Sequence, residues 1–279
     1  MQAADVFHAE RAAAAELTVI VMDPLAAPLS CPCVEGYAQR KYEVLAEYLQ
    51  RKTGRTVRLE FVEALETALK EKTQGRADLV IGKDSVVRWD AKSQGIKVTP
   101  IARLTGKDGS TTQNGLFVVS RDDPAKSVKD LKGYRILFGP VECDEKHKAA
   151  LAALSEAQVP APQQLEIDQA CSDGACKVVE LGPAGRAAAV ISSYAAPLLE
   201  GCGTIQKGDL RVVGRTKPVP FITAFATSSV DSTLRQQLQS LLLDAASDPK
   251  LLEALESLVG FVPVDAAPQS ASAATKSGF

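Results

Sequence analysis

The stretch LTVIVM, Leu17–Met22, is a continuous apolar run of the kind found in strands that are buried on both faces of a parallel sheet. After this run, apolar residues recur near helical spacing over Tyr37–Arg51, and Val57–Phe61 alternates like a strand. Ala64–Lys72 has helical spacing again, and Ala77–Gly82 is a second buried strand. The order β-α-β-α-β predicts one α/β lobe.

The second half of the chain repeats this alternation. It contains a strand at Tyr134–Phe138, a helix at Asp144–Ala157 and strands near Leu165–Asp168 and at Ala187–Ser192. A polar segment, Thr105–Asn114, separates the halves. The sequence therefore predicts two α/β lobes. Lobe 1 comprises residues 17–104 and 217–265, lobe 2 comprises residues 105–216, and an N-terminal arm (1–16) and a mobile tail (266–279) flank them.

Composition restricts the function classes. The chain has 279 residues, 46% of them hydrophobic, with 32 basic and 34 acidic side chains. There is no basic block, so nucleic acid is not an expected partner. No apolar stretch approaches the roughly 18 to 20 residues that span a bilayer, so membrane insertion is not expected. The alanine-rich start, Met1–Glu16, lacks the features of a secretory signal and is interpreted as a mature or trimmed end.

The positions of the cysteines bear on function. Cys31 and Cys33 lie in the turn after the first strand, and Cys143 lies in the equivalent turn of the second half. Such turns line the crevice where α/β sheets bind ligands. Six cysteines in this chain fit either disulfides in an oxidising compartment or a thiolate metal site.

Cys171 and Cys176 flank a turn-forming Asp-Gly pair. This pattern is compatible with a small loop closed by a disulfide between them. Two unpaired thiols are the open alternative.

Three further stretches carry a resemblance to a known family: GRADLV (Gly75–Val80), SVKDLKG (Ser127–Gly133) and GRAAAVIS (Gly185–Ser192). In this order they resemble the type II periplasmic solute-binding proteins of the phosphate, phosphite and phosphonate uptake class, the PhnD-like family. The resemblance implies two lobes, each a mixed, mostly parallel sheet flanked by helices, with the ligand cleft between them. It also implies a periplasmic receptor for an oxyanion-type solute, which could present that solute to a membrane permease.

The turn GPVECDEKH, residues 139–147, departs from the family pattern. Members of the family usually carry a Ser/Thr-rich turn here, where hydroxyls and free backbone N–H groups hold an oxyanion. Three carboxylates replace it in this chain, and they would oppose an anion a few ångströms away. The resemblance therefore favours an anionic solute, whereas the charge of this turn disfavours one.

A metal site is the first alternative. Cys31, Cys33, Cys143 and His147 are soft or borderline ligands that suit zinc or copper. Cys143 and His147 are four residues apart, so a helix starting near Asp144 would bring them to one side. Disulfide bonding of the cysteines and an ordinary solvated His147 remain open. A thiol-redox enzyme using Cys143 with His147, or a low-pKa Cys33, is the second alternative.

The leading interpretation is a non-catalytic periplasmic receptor that closes on a small molecule or ion. It is expected to be a monomer; no cofactor is assigned, and copper or zinc stays open through the metal alternative. Polar residues that follow predicted strands are the expected ligand contacts, with turn or cap roles as the competing explanation. They are Asp23, Cys31, Cys33, Ser85, Cys143, Asp144, Ser192, Ser193 and Tyr194.

Overall fold

The computed structural model describes residues 16–30 and 39–265. These residues divide into two compact units: unit 1 contains 16–30, 39–111 and 221–265, and unit 2 contains 112–220. The lobe boundaries that the sequence indicates, and the cleft between the lobes, stay predictions. The predicted tail and all of the predicted arm except Glu16 lie outside the described residues.

The described residues form thirteen strands. In chain order they are β1 (Leu17–Met22), β2 (Val57–Phe61), β3 (Leu79–Lys83), β4 (Val98–Leu104), β5 (Thr112–Gln113), β6 (Gly115–Ser120), β7 (Arg135–Phe138), β8 (Glu166–Ile167), β9 (Ala187–Ser192), β10 (Leu210–Arg215), β11 (Val219–Pro220), β12 (Ile222–Thr227) and β13 (Phe261–Val262).

Eight α-helices lie in the same part of the chain. They are α1 (Tyr42–Thr53), α2 (Leu65–Thr67), α3 (Asp84–Ser93), α4 (Lys148–Glu156), α5 (Cys171–Leu181), α6 (Ala195–Gly201), α7 (Ser232–Asp244) and α8 (Pro249–Ala254). Helix α2 continues as a π-helical stretch, Ala68–Lys72. None of these helices has the length and apolar character that crossing a membrane requires.

Unit 1 is built on a six-stranded sheet in the order β13-β4-β12-β3-β1-β2. Strand β1 pairs in parallel with β2 and β3, while β12 is antiparallel to β3 and β4. All six side chains of β1 are buried, which explains why its sequence is apolar throughout rather than alternating. One face of this sheet packs against α3 through Val87 and Ala91.

Unit 2 is built on a five-stranded sheet in the order β10-β6-β9-β7-β8. Strand β7 is parallel to β8 and β9, and β6 is antiparallel to β9. Phe117 packs in one apolar cluster with Leu154 of α4, and its neighbour Leu116 packs in a second cluster with Val178 of α5. Because successive strand residues face opposite sides, both faces of the sheet are covered. Two mixed sheets flanked by helices confirm the predicted α/β class.

The helix predicted at Asp144–Ala157 begins later than the sequence suggested. Helix α4 starts at Lys148, because residues 140–147 form hydrogen-bonded turns. The amide of Cys143 donates to the carbonyl of Pro140, and the amide of Lys146 donates to the carbonyl of Cys143. Cys143 and His147 therefore do not share a helix face.

The predicted disulfide between Cys171 and Cys176 is wrong. Both residues are free cysteines within α5. Five residues of α-helix rise about 7.5 Å, which exceeds the Cα separation of about 4.4 to 6.8 Å that a disulfide allows. The Asp-Gly pair that suggested a turn lies inside the helix.

Candidate functional site

Strands β7 and β9 end at the same side of the unit 2 sheet. They are parallel neighbours, with Arg135 opposite Ala187 and Leu137 opposite Ala189. The turn 139–147 follows β7, and Ser193 and Tyr194 follow β9. We call this side, with residues 113–115, 139–147 and 192–194, the carboxyl edge of unit 2. Ligands of α/β proteins bind at such edges.

Ser192 and Glu145 join the two segments of this edge. The Oγ of Ser192 donates a hydrogen bond to Oε1 of Glu145 over 2.5 Å, and both residues have 0% exposure. The backbone amide of Ser192 donates to Sγ of Cys171, 3.4 Å away at the start of α5. The last residue of β9 is therefore fixed from two sides, and one of the three carboxylates in the turn is used internally.

Two glycines allow the turn to lie close to the sheet. A Cβ placed on Gly115 would lie 2.1 Å from the carbonyl oxygen of Glu145. A Cβ placed on Gly139 would lie 2.5 Å from both Cβ and Cε of Lys146. Since real Cβ atoms do not approach other atoms so closely, glycine is required at both positions. The stem of Lys146 thus lies against the backbone of Gly139.

Lys146 has a nearly buried side chain whose ammonium lacks an internal partner. The residue is only 5% exposed, yet no described residue accepts a hydrogen bond from its ammonium or forms an ion pair with it. A lysine can bury its aliphatic stem while its charged end stays accessible. An unpaired ammonium held in this way at the carboxyl edge is suited to an anionic ligand.

Gln113 is a second buried group without partners. It is 2% exposed, and both Oε1 and Nε2 lack a hydrogen bond within the described chain. Its neighbour Asn114 is held firmly: the backbone amide donates to Oγ of Ser193 (3.1 Å) and the side-chain amide donates to the carbonyl of Thr216 (2.7 Å). The backbone that carries Gln113 is therefore well ordered while its amide is unused.

The remaining predicted residues of this edge take varied positions. Cys143 is buried and forms no disulfide. Asp144 lines a concavity of about 360 Å³ on unit 2, together with Lys148 and Lys217. Tyr194 is half-buried and precedes α6. The structure brings Cys143, Asp144, Ser192, Ser193 and Tyr194 to one edge.

The predicted metal set is not assembled among the described residues. His147 donates from Nδ1 to the carbonyl of Gly139 over 2.9 Å, and its ring packs against Phe138 with centroids 6.4 Å apart. Cys31 and Cys33 lie outside the described residues. In the part of the chain that is described, no three His, Cys, Asp or Glu side chains form a group able to hold a metal ion.

Asp23 lies in the buried framework of unit 1. Its Oδ2 accepts from Nη1 of Arg40 (2.8 Å) and from the hydroxyl of Tyr42 (2.6 Å), and its Oδ1 accepts from the amide of Leu25 (2.9 Å). The residue has 0% exposure. Burial raises the pKa of Tyr42 well above its ordinary value, and the negative charge of Asp23 adds to the effect. These contacts disfavour the predicted ligand role of Asp23, which stays a prediction.

Ser85 does not cap the helix that follows β3. Helix α3 begins one residue earlier, at Asp84. Asp84 is itself buried and accepts from Nε of Arg88 over 2.7 Å. Ser85 is half-buried at the second position of α3, and its predicted contact with a ligand stays a prediction.

Sequence reasoning missed Lys146 and Gln113. Both are ordinary polar residues in the sequence, and only burial without a partner distinguishes them. The sequence features that could have indicated this site are Gly139 and Gly115, because each glycine lies where the turn packs closely against the sheet.

The sequence model of the family described as "ABC transporter, phosphonate, periplasmic substrate-binding protein" matches residues 36–268. None of the curated proteins compared with the chain matches it.

Several solved structures share the fold. XAC2383 of Xanthomonas citri, bound to chloride, has a TM-score of 0.65 at 20% identity, with 90% of this chain and 92% of that chain covered. PhnD1 of Prochlorococcus marinus, in complex with methylphosphonate, has a TM-score of 0.63 at 14% identity, with 91% of this chain and 93% of that chain covered. The periplasmic aliphatic sulphonate-binding protein SsuA of Escherichia coli has a TM-score of 0.58 at 15% identity, with 86% of this chain and 77% of that chain covered.

Proposed function

Because this chain belongs to the family of periplasmic substrate-binding proteins of ABC phosphonate transporters, we propose that its solute bears a tetrahedral oxyanion and that Lys146 holds that oxyanion. The protein is a periplasmic receptor with a small-molecule ligand and a membrane permease as its partners. The family and location predicted from the sequence are thereby confirmed. The identity of the solute and its contacts are the proposal.

The observation that carries this proposal is the unpaired ammonium of Lys146, a residue only 5% exposed, at the carboxyl edge of unit 2. An oxyanion would give it the hydrogen-bonded ion pair that no described residue supplies. Charge-assisted hydrogen bonds of this kind are stronger than neutral ones.

The names of two structural relatives refer to solutes of one shape. PhnD1 is in complex with methylphosphonate, and SsuA is described as binding aliphatic sulphonate. Phosphonate and sulfonate both place negatively charged oxygens around a tetrahedral centre. The acidic turn is less adverse to such a group than the sequence suggested, since Glu145 accepts from Ser192 and Lys146 lies beside it.

The protein is further proposed to act as a monomer and to catalyse no reaction, since its family consists of receptors. The metal and thiol-redox alternatives gain no support from the comparisons. His147 is hydrogen-bonded within its own turn.

A thermal-shift experiment tests the proposal, because a ligand that binds only the folded state raises its melting temperature. The probes are methylphosphonate, methanesulfonate, phosphate, zinc chloride and dimethyl methylphosphonate, the uncharged ester. At least one oxyanion is expected to raise the melting temperature, while the ester does not. A shift with zinc alone, or an equal shift with the ester, would overturn the proposal.

A further inference from the structure

Gln113 offers hydrogen-bonding groups that an oxyanion alone cannot use fully. Its Nε2 is a donor and its Oε1 is an acceptor, and both are buried without a partner in the described chain. A buried amide in this state is costly, whereas an apolar side chain of similar size would not be. The amide therefore has a use that the ligand-free fold does not provide.

Backbone contacts place Gln113 close to Lys146. Gly115, two residues after Gln113, touches the carbonyl oxygen of Glu145, and Lys146 is the next residue. Two extended residues span about 7 Å, which is within the reach of one small solute contacted by two long side chains. Asn114, fixed by Ser193 and Thr216, holds this arrangement in place.

We infer that Gln113 is a specificity-determining residue, which selects a solute carrying a hydrogen-bond donor, a hydroxyl or an amine, in addition to its oxyanion. The inference rests on the proposed function. A deprotonated oxyanion only accepts hydrogen bonds, so it satisfies the ammonium of Lys146 and Nε2 of Gln113 but leaves Oε1 unpaired. A donor on the same solute completes the set.

The alternative is that Gln113 serves only the fold. In that case its replacement would destabilise the ligand-free protein and leave ligand preference unchanged. A residue whose amide is satisfied by the ligand behaves differently: an apolar replacement removes two unpaired atoms and leaves the ligand-free protein equally or more stable.

The experiment measures dissociation constants by calorimetry for methylphosphonate, hydroxymethylphosphonate and aminomethylphosphonate. Titrations above the second pKa of all three phosphonates keep each headgroup fully deprotonated, so the ratio of dissociation constants reflects the added hydroxyl or amine. Wild type is expected to prefer at least one donor-bearing probe about tenfold to hundredfold. Gln113→Leu is expected to reduce that ratio to near one while it still binds methylphosphonate.

Gln239→Leu is the matched control. Its amide is satisfied, since Nε2 donates to the carbonyl of Ile101 in unit 1 over 3.0 Å. That variant is expected to lower the melting temperature and to keep the wild-type ratio. Gln113→Leu is expected to keep or raise the ligand-free melting temperature.

Two results would overturn the inference. If Gln113→Leu keeps the wild-type preference, or if wild type shows no preference for a donor, Gln113 does not select the solute, although the oxyanion proposal still stands. If none of the probes binds wild type, the proposed function fails and the inference fails with it.

Discussion

The guanidinium of Arg40 and the carboxylate of Asp23 form an ion pair with Nη1 and Oδ2 2.8 Å apart, in which the two side chains are 3% and 0% exposed. Arg40 also donates from Nε to the carbonyl of Leu255. This pair joins segments of unit 1 that are distant in sequence. Its removal tests the framework of that unit.

Arg40→Met is expected to destabilise the protein by about 3 to 5 kcal/mol, because it leaves the Asp23 charge buried and unpaired. Urea unfolding followed by circular dichroism measures the change. Glu166→Gln is the control: it breaks the exposed pair with Arg135, which is worth about 1 kcal/mol or less. Equal losses in the two variants would contradict the buried pair.

Alkaline pH tests the neighbouring Tyr42. Burial and then the charge of Asp23 raise its pKa well above 10, whereas an unfolded tyrosine ionises near pH 10. Above that pH the folded state retains a proton that the unfolded state loses, so the free energy of unfolding falls as pH rises. The Tyr42 contribution amounts to about 1.4 kcal/mol at pH 11.

The measurement compares urea unfolding at pH 8 and pH 11 in wild type and Tyr42→Phe. The variant is less stable at pH 8, since it loses the hydrogen bond to Asp23. Its decrease between the two pH values is expected to be smaller than that of wild type. An identical decrease would show that Tyr42 ionises freely in the folded state.

The close approach of Glu145 to Gly115 predicts a severe effect of one methyl group. The new Cβ of Gly115→Ala would lie 2.1 Å from the Glu145 carbonyl and 2.9 Å from Cγ1 of Val190. Overpacking of this kind costs about 1 to 3 kcal/mol, and displacement of the turn should also weaken ligand binding.

Gly174→Ala provides the comparison. Its Cβ would lie 3.1 Å from Cβ of Ala189, a tight contact that a small shift relieves. Alanine also favours the interior of α5 by about 0.5 to 1 kcal/mol. Melting temperatures of the two variants are expected to differ clearly, with Gly174→Ala near wild type. A neutral Gly115→Ala would contradict the close packing of the turn.

The thiols of unit 2 give a simple chemical prediction. None of the four described cysteines, Cys143, Cys171, Cys176 and Cys202, forms a disulfide, so protein purified without reductant and then denatured should react at these four positions with a thiol reagent. Peptide mapping of the labelled sites identifies them. A disulfide linking Cys171 to Cys176 would contradict the helical geometry of α5.

Local patterns in the sequence predicted most of the fold. The apolar run of β1 fixes a buried parallel strand, and Asp231 caps α7 through a hydrogen bond from the amide of Leu234. The start of α4 was misplaced because residues 140–147 form turns, which a helical spacing does not reveal. The Asp-Gly pair in α5 misled for the converse reason, since tertiary packing overrode a turn preference.

The candidate site was only partly predictable. Ser192 and Ser193 could be predicted, because they stand where the apolar run of β9 ends in the sequence. Lys146 and Gln113 could not be found, since burial without a partner arises only when the turn closes on β6. Asp23 follows a strand as expected. Its contacts with Arg40 and Tyr42 could not be predicted, because no local sequence pattern shows that these side chains meet in the fold.

The central claim is that the ammonium of Lys146 binds the oxyanion of the solute. Calorimetric titration of wild type, Lys146→Met and Lys129→Met with the oxyanion that raises the melting temperature tests it most directly, since both variants lose one positive charge and Lys129 is exposed on unit 2. Lys146→Met should bind about tenfold to hundredfold more weakly, with a ligand-free stability close to that of wild type, while Lys129→Met binds normally. Wild-type affinity in Lys146→Met would contradict the account.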